Sequence, residues 1–172
     1  MGLRHVNGTT SSLDMDIRFH TPLTAKEQLG FGLDAPQPLA LADKVRFAEL
    51  DPLNHVNNKA YIEWFETLRV SYFDNLCAFC YDGLEAPRLV IRSANIHYVR
   101  EMVMDEVYVT TARVTGFRNT SFTIEQQLWS GDLRATLTGV MVTLRGDGSG
   151  RYPLPQSLRE VFIKRDGATP EG

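Results

Sequence analysis

The sequence predicts an α+β fold in which one long helix lies against an antiparallel sheet. Three observations predict it. A single stretch, from residue 57 to about residue 80, repeats its apolar residues with the 3.6-residue period of a helix. The stretches after it alternate apolar and polar residues with period two, as strands do. The links between the last three of these are too short for parallel crossovers, which makes those strands antiparallel neighbours.

In chain order, residues 1–38 read as an extension. Residues 7–12 (NGTTSS) are small and polar, and residues 30–38 (GFGLDAPQP) carry two Gly and two Pro, both loop signals. A short strand is expected within residues 15–19. Residues 39–165 form the domain proper. Residues 44–50 read as its first strand, with Val45 and Phe47 on one face. The helix follows: Tyr61, Phe65, Leu68, Tyr72, Leu76 and Phe79 trace one face, while Glu63, Glu66 and Asp74 lie off it. Gly83 and Pro87 end that segment.

Residues 89–99 come next and open a strand meander, in which each strand pairs with the next, with Ala94, Ile96 and Tyr98 on one face. Residues 106–114 group Tyr108, Thr110, Ala112 and Val114, and residues 122–129 group Phe122, Ile124, Gln126 and Leu128. Ser130-Gly131-Asp132 is short enough for a hairpin turn into residues 133–145. A loose, Gly-rich stretch from residue 146 leads to a last short helix, residues 157–164, for which Ser157 and Glu160 have the spacing of a capping box. Residues 166–172 read as a tail.

Composition narrows the function classes. The 172 residues are 43% hydrophobic and 23% charged, ordinary for a globular domain. A net charge of −3 and a pI near 5.8 argue against a nucleic-acid partner that needs a basic face. No run approaches the ~18 apolar residues of a membrane span. The N-terminus lacks the apolar core of a secretory signal, and two cysteines suit a reducing compartment, so the expected location is cytoplasmic.

Several motifs lead nowhere chemically. Cys77 and Cys80 form a CxxC, but near a helix C-terminus, where nothing lowers a thiol pKa. No second Cys pair or His-x₃₋₅-His completes a zinc site, so no metal or other cofactor is expected. The Gly-rich residues 146–150 lack the Lys-Ser/Thr of a phosphate loop, and no serine lies in G-x-S-x-G.

The informative stretch is VRFAELDPLNHVNNKAYIEW, residues 45–64. Asp51 closes the first strand, and His55, Asn57 and Asn58 lead into the helix. Helix N-termini carry unpaired backbone N–H groups and partial positive charge, which can hold a carboxylate ionised and stabilise an oxyanion. On a strand, Glu49 and Asp51 would share one side, about 6–7 Å apart at ~3.3 Å per residue. The same residues also read as plain structure. The asparagines cap, Asp51-Pro52 opens a turn, and His55 packs.

The run from Val45 to Tyr61 resembles the signature of hot-dog-fold acyl-CoA thioesterases of the 4-hydroxybenzoyl-CoA thioesterase type. Their pattern is approximately a strand ending in D-x-D, a short turn, then G-H-V-N-N-x-x-Y. Here it stands as Glu49-Leu50-Asp51, then Asn54-His55-Val56-Asn57-Asn58, with Tyr61 in place. Ile96-His97-Tyr98-Val99-Arg100 is similar to the family's second-strand segment, Gly116-Phe117-Arg118-Asn119-Thr120-Ser121 to its G-R-S-S turn, and Tyr152-Pro153-Leu154-Pro155 to its close. Two positions depart: Glu49 replaces an Asp, and Asn54 replaces the Gly before the His. The Asp-Asn-His turn of plant acyl-carrier-protein thioesterases is not matched, because Leu53 stands where their Asn lies.

The resemblance implies a hot-dog fold, a long central helix wrapped by a curved antiparallel sheet of about five strands, assembled as a homodimer or homotetramer. It implies hydrolysis of an acyl-CoA thioester, with Asp51 as nucleophile or general base, backbone amides near Asn57 and Asn58 polarising the carbonyl, and His55 in the same turn. Tyr61, Trp64 and Phe65 are the expected acyl contacts, and Arg118 and Ser121 the expected contacts to the nucleotide end of coenzyme A. Acyl carrier protein as the thiol carrier, and acyl-CoA binding without catalysis, remain open alternatives.

Overall fold

The computed structural model describes residues 17–172. Its centre is α2 (Asn58–Leu76), which buries Tyr61, Trp64, Phe65, Leu68 and Tyr72, most of the stripe read from the sequence. A 3₁₀ turn over Ala78–Tyr81 continues it, and there the face is lost: Phe79 is 55% exposed. Cys77 and Cys80 are free and buried beneath this turn.

Five strands wrap the helix: β1 (Leu39–Lys44), β2 (Arg88–Tyr98), β3 (Val107–Phe117), β4 (Ser121–Ser130) and β5 (Asp132–Leu144). They pair antiparallel in the spatial order β1-β3-β4-β5-β2. Register shifts at Ile91/Ser93, Val114/Gly116 and Leu128/Trp129 are bulges, and bulges bend strands. This is the hot-dog architecture. The alternation predicted for β4 is seen: Phe122, Ile124, Gln126 and Leu128 are all buried towards α2.

Three expectations about elements need correction. Residues 44–50 are not a strand. The first strand ends at Lys44, and Phe47–Glu49 form a 3₁₀ turn closed by Glu49 N–H donating to the Arg46 carbonyl at 3.0 Å. The Glu49 carboxylate accepts from Arg46 N–H at 2.7 Å and locks that turn. Phe47, expected on the core face, is 78% exposed.

The second correction concerns β2, which pairs with β5 at the far edge of the sheet rather than with β3, its neighbour in sequence. Ala94 and Tyr98 are therefore exposed, with only Ile96 of that face partly buried. Third, Ser157 does not cap α3 (Gln156–Val161). Pro155 precedes the helix, and the Ser157 hydroxyl donates to the Cys80 carbonyl at 3.4 Å.

Both ends of the described chain are docked. Residues 17–38, including α1 (Ala25–Gly30), pack Leu23 and Leu33 against Ala40, Ala42 and Val109 on the face of the sheet turned away from α2. Phe19 bridges Ala42 of edge strand β1. Of the strand expected within residues 15–19, residues 17 and 18 take no strand pairing, while residues 15–16 and the NGTTSS stretch lie outside the described residues. The expected tail is anchored too: β6 (Thr169–Pro170) runs parallel to the end of β3, and Asp166 is buried.

Candidate active site

The turn from β1 into α2 is held by its own short side chains. Asp51 N–H donates to the His55 carbonyl at 2.7 Å, and Asn54 N–H donates to the Asp51 carbonyl at 3.0 Å. Asp51 Oδ1 accepts from Leu53 N–H at 2.8 Å and His55 N–H at 3.1 Å. Asp51 Oδ2 accepts no hydrogen bond among the described residues, which leaves one carboxylate oxygen free. The turn requires φ +62° at Asn54. That left-handed conformation accounts for the Gly-to-Asn departure, since Asn enters this region more readily than other side chains.

Asn57 is the helix cap. Its Oδ1 accepts from Ala60 N–H at 3.0 Å and its Nδ2 donates to the Glu49 carbonyl at 2.8 Å. The N–H groups of Asn58 and Lys59, in the first turn, have no acceptor among the described residues, as helix geometry dictates. Asp51, His55, Asn58 and Tyr61 line one open cleft of about 270 Å³, closed on its other side by Tyr98 and Glu101. His55 Nε2 lies 3.4 Å from Glu101 Oε2. Burial pushes the Tyr61 phenol up to about 12, so it stays protonated as a donor.

The opposite wall is registered on this turn through the backbone. His55 bridges Val103, and Val56 N–H donates to the Met102 carbonyl at 2.9 Å. Arg134 then clamps that loop, donating to the Glu101 carbonyl at 2.6 Å and the Ser130 carbonyl at 3.0 Å, and pairing with Glu106 at 3.2 Å. In the sequence Arg134 reads as the polar face of an alternating strand, and nothing local marks it as the support of a site 80 residues upstream.

The other candidate residues fall elsewhere. Glu49 does not share a side with Asp51, because the 3₁₀ turn rotates it away. With Trp64 it lines a second cleft of about 230 Å³, where Trp64 Nε1 donates to Glu49 Oε1 at 2.9 Å. Phe65 is fully buried between helix and sheet and lines neither cleft, so its expected contact with substrate is corrected to a core position. Arg118 and Ser121 sit together in a third cleft of about 180 Å³, where Arg118 pairs with Glu171 at 3.4 Å. Within one chain they do not meet Asp51. No helix among the described residues is long and apolar enough to cross a membrane.

Comparison with known proteins places the fold. The profile of the thioesterase-like superfamily matches residues 45–162. A thioesterase-superfamily structure from Jannaschia sp. CCS1 is 41% identical, with a TM-score of 0.81 over 90% of this chain and 99% of that one. A thioesterase from Thermus thermophilus, solved with coenzyme A and Zn, is 28% identical at a TM-score of 0.66 over 77% of this chain and 98% of that one. YbaW, a probable thioesterase from Escherichia coli, shares the fold at 24% identity and a TM-score of 0.65, over 74% and 98%. A search of curated proteins gave no significant match. The profile spans the turn, the central helix and strands β2 to β5, and the chain belongs to the thioesterase-like superfamily.

Proposed function

We propose that the protein is an acyl-CoA thioesterase of the 4-hydroxybenzoyl-CoA thioesterase type. One observation carries the reading. A carboxylate with one oxygen tied down and one free shares an open cleft with Asn58, whose backbone amide is unpaired at the start of α2. The coenzyme A bound to the Thermus thermophilus relative supports coenzyme A as the thiol carrier.

A thioester carbonyl is electrophilic and its thiolate a fair leaving group, so a weakly basic carboxylate suffices. With the carbonyl oxygen at the Asn58 and Lys59 amides, negative charge developing on it meets fixed donors and the positive end of the helix. Asp51 Oδ2 either attacks the carbonyl carbon, giving a mixed anhydride and coenzyme A thiolate, or takes a proton from an attacking water. The tyrosine phenols and His55 bound the cleft, and Glu101 orients His55.

The working unit is a homodimer. Among the described residues β2 has one partner strand, and Val90, Ile91 and Tyr98 along it, with Val99 just beyond its end, are exposed. A second copy pairing on this free edge would cover them, and it would stand beside the Tyr98 wall of the cleft. Arg118 and Ser121 then serve the nucleotide end of coenzyme A from outside the Asp51 cleft. The site is expected to act in the cytoplasm, where coenzyme A thioesters are found.

Release of free thiol from a panel of acyl-CoAs tests the activity. Asp51→Asn is expected to keep fold and dimer and to lower kcat by about 10²-fold or more, the scale of a lost positioned acid or base. Glu49→Gln is expected to cost less. In single turnover in ¹⁸O-water, an anhydride cleaved at the Asp51 acyl carbon puts label into Asp51, whereas direct water attack on the thioester puts it into the product acid alone. Near-wild-type turnover by both variants would refute the assignment.

A further inference from the structure

We infer that the acyl group is compact, because a buried aromatic partition bolted by Glu49 closes the Asp51 cleft from behind; this rests on the reading of that cleft as the reaction site. Asn58, Tyr61 and Trp64 follow one another at three-residue steps along α2, so the path inward from the helix start meets Tyr61 and then Trp64. Tyr61 lies edge-on to Tyr98, with ring centroids 5.1 Å apart, and 5.4 Å from Trp64. Trp64 stacks on Tyr108 at 4.3 Å. Tyr61, Trp64 and Tyr108 are 3%, 7% and 2% exposed, so the layer is tightly packed.

Behind it lies the second cleft, where Leu41, Thr67 and Leu68 flank Trp64 and Glu49. Tyr61 and Tyr98 line the first cleft and Trp64 and Tyr108 the second, and the Tyr61–Trp64 contact lies between them. The Trp64 indole N–H is fixed by Glu49 Oε1 at 2.9 Å. Glu49 is itself held by Arg46 N–H at 2.7 Å, while the Arg46 guanidinium is forked onto Asp43 at 2.8 and 3.0 Å. The first acid of the E-x-D pair therefore sets specificity, and the second faces the reacting carbonyl.

The test is kcat/KM for acetyl-, butyryl-, benzoyl-, octanoyl- and palmitoyl-CoA, with calorimetric binding of the same series to Asp51→Asn. Wild type is expected to favour butyryl- or benzoyl-CoA over octanoyl-CoA by about tenfold or more, the scale on which a filled pocket rejects added methylenes. Trp64→Ala removes the ring that backs Tyr61 and is expected to raise the octanoyl-to-butyryl ratio by about tenfold. Trp64→Phe and Glu49→Ala each remove the bolt with less loss of core, and are expected to shift the ratio in the same direction.

A wild-type preference for octanoyl- or palmitoyl-CoA overturns the inference. So does an unchanged ratio in Trp64→Ala of native stability, or in both milder variants if that one does not fold. If nothing is turned over, the thioesterase reading falls, while binding of the series still decides the partition. Binding without discrimination by length, or no binding at all, overturns it.

Discussion

Replacing Asp166 by alanine should cost more stability than any other single change at the C-terminal end. The Asp166 side chain has no solvent exposure. Its Oδ2 accepts from Tyr72 O–H and from Val114 N–H at 2.7 Å, and its Oδ1 from Arg165 Nε at 2.6 Å. Arg165 also donates to the Tyr72 hydroxyl at 2.7 Å and to the Leu76 carbonyl. Burial drives the Tyr72 phenol far above its ordinary range, so it remains a donor.

Asp166→Ala strands the Val114 amide and the Tyr72 hydroxyl, each a buried group worth about 1–3 kcal/mol when left unmade. It also leaves Arg165, 24% exposed, without its carboxylate, and breaking a buried pair from one side costs about 3–5 kcal/mol. These terms overlap, and water reaching Arg165 offsets some of the loss, which gives about 3–5 kcal/mol in total. At 2–4 °C per kcal/mol for a chain this long, Tm falls by roughly 6–20 °C. Tyr72→Phe removes one hydroxyl and should cost about 1 kcal/mol. Urea unfolding at one fixed protein concentration measures both, since subunit association would otherwise enter the comparison. Loss of less than about 1 kcal/mol in Asp166→Ala, with unchanged m, would refute the argument that this network holds the C-terminus to α2.

Asn54→Gly should leave stability nearly unchanged, whereas Asn54→Ala should lose about 1 kcal/mol in urea unfolding, because φ +62° penalises a Cβ that gains no local hydrogen bond. Burial pushes the Cys77 thiol up to about 12 and raises Cys80 as well, so neither should react with a disulfide reagent at pH 8 faster than the protein unfolds. Prompt labelling of the native protein would revive a redox role. Arg18, with the Thr24 backbone and hydroxyl, lowers the Glu27 carboxyl to about 2 from 4.5. A depressed carboxyl stabilises above the unfolded value and loses that contribution as it is protonated. Protection of the 17–38 segment from proteolysis should therefore fall between about pH 4.5 and pH 2, and Glu27→Gln should flatten that change.

The sequence by itself determined the central helix, because Tyr61, Phe65, Leu68 and Tyr72 repeat at the one period that buries a single face. It determined β4 equally well, since its alternation leaves one strand face for the core. The cap at Asn57 and the turn chemistry at Asp51 were legible for the same reason: their bonds span two to eight residues. Only the tertiary structure decided what depends on partners far along the chain. Residues 45–51 alternate like a strand, yet the Arg46–Glu49 bonds close a turn and send Glu49 and Asp51 into different clefts. The sites of β2 on the far edge and of Arg134 under the Asp51 turn follow from pairing with β5 and with the backbone of residues 99–106. Local periodicity records which face of an element is apolar. Which element covers that face is fixed by long-range pairing, and that is why the hydrogen bonding of the turn was readable while the walls of its cleft were not.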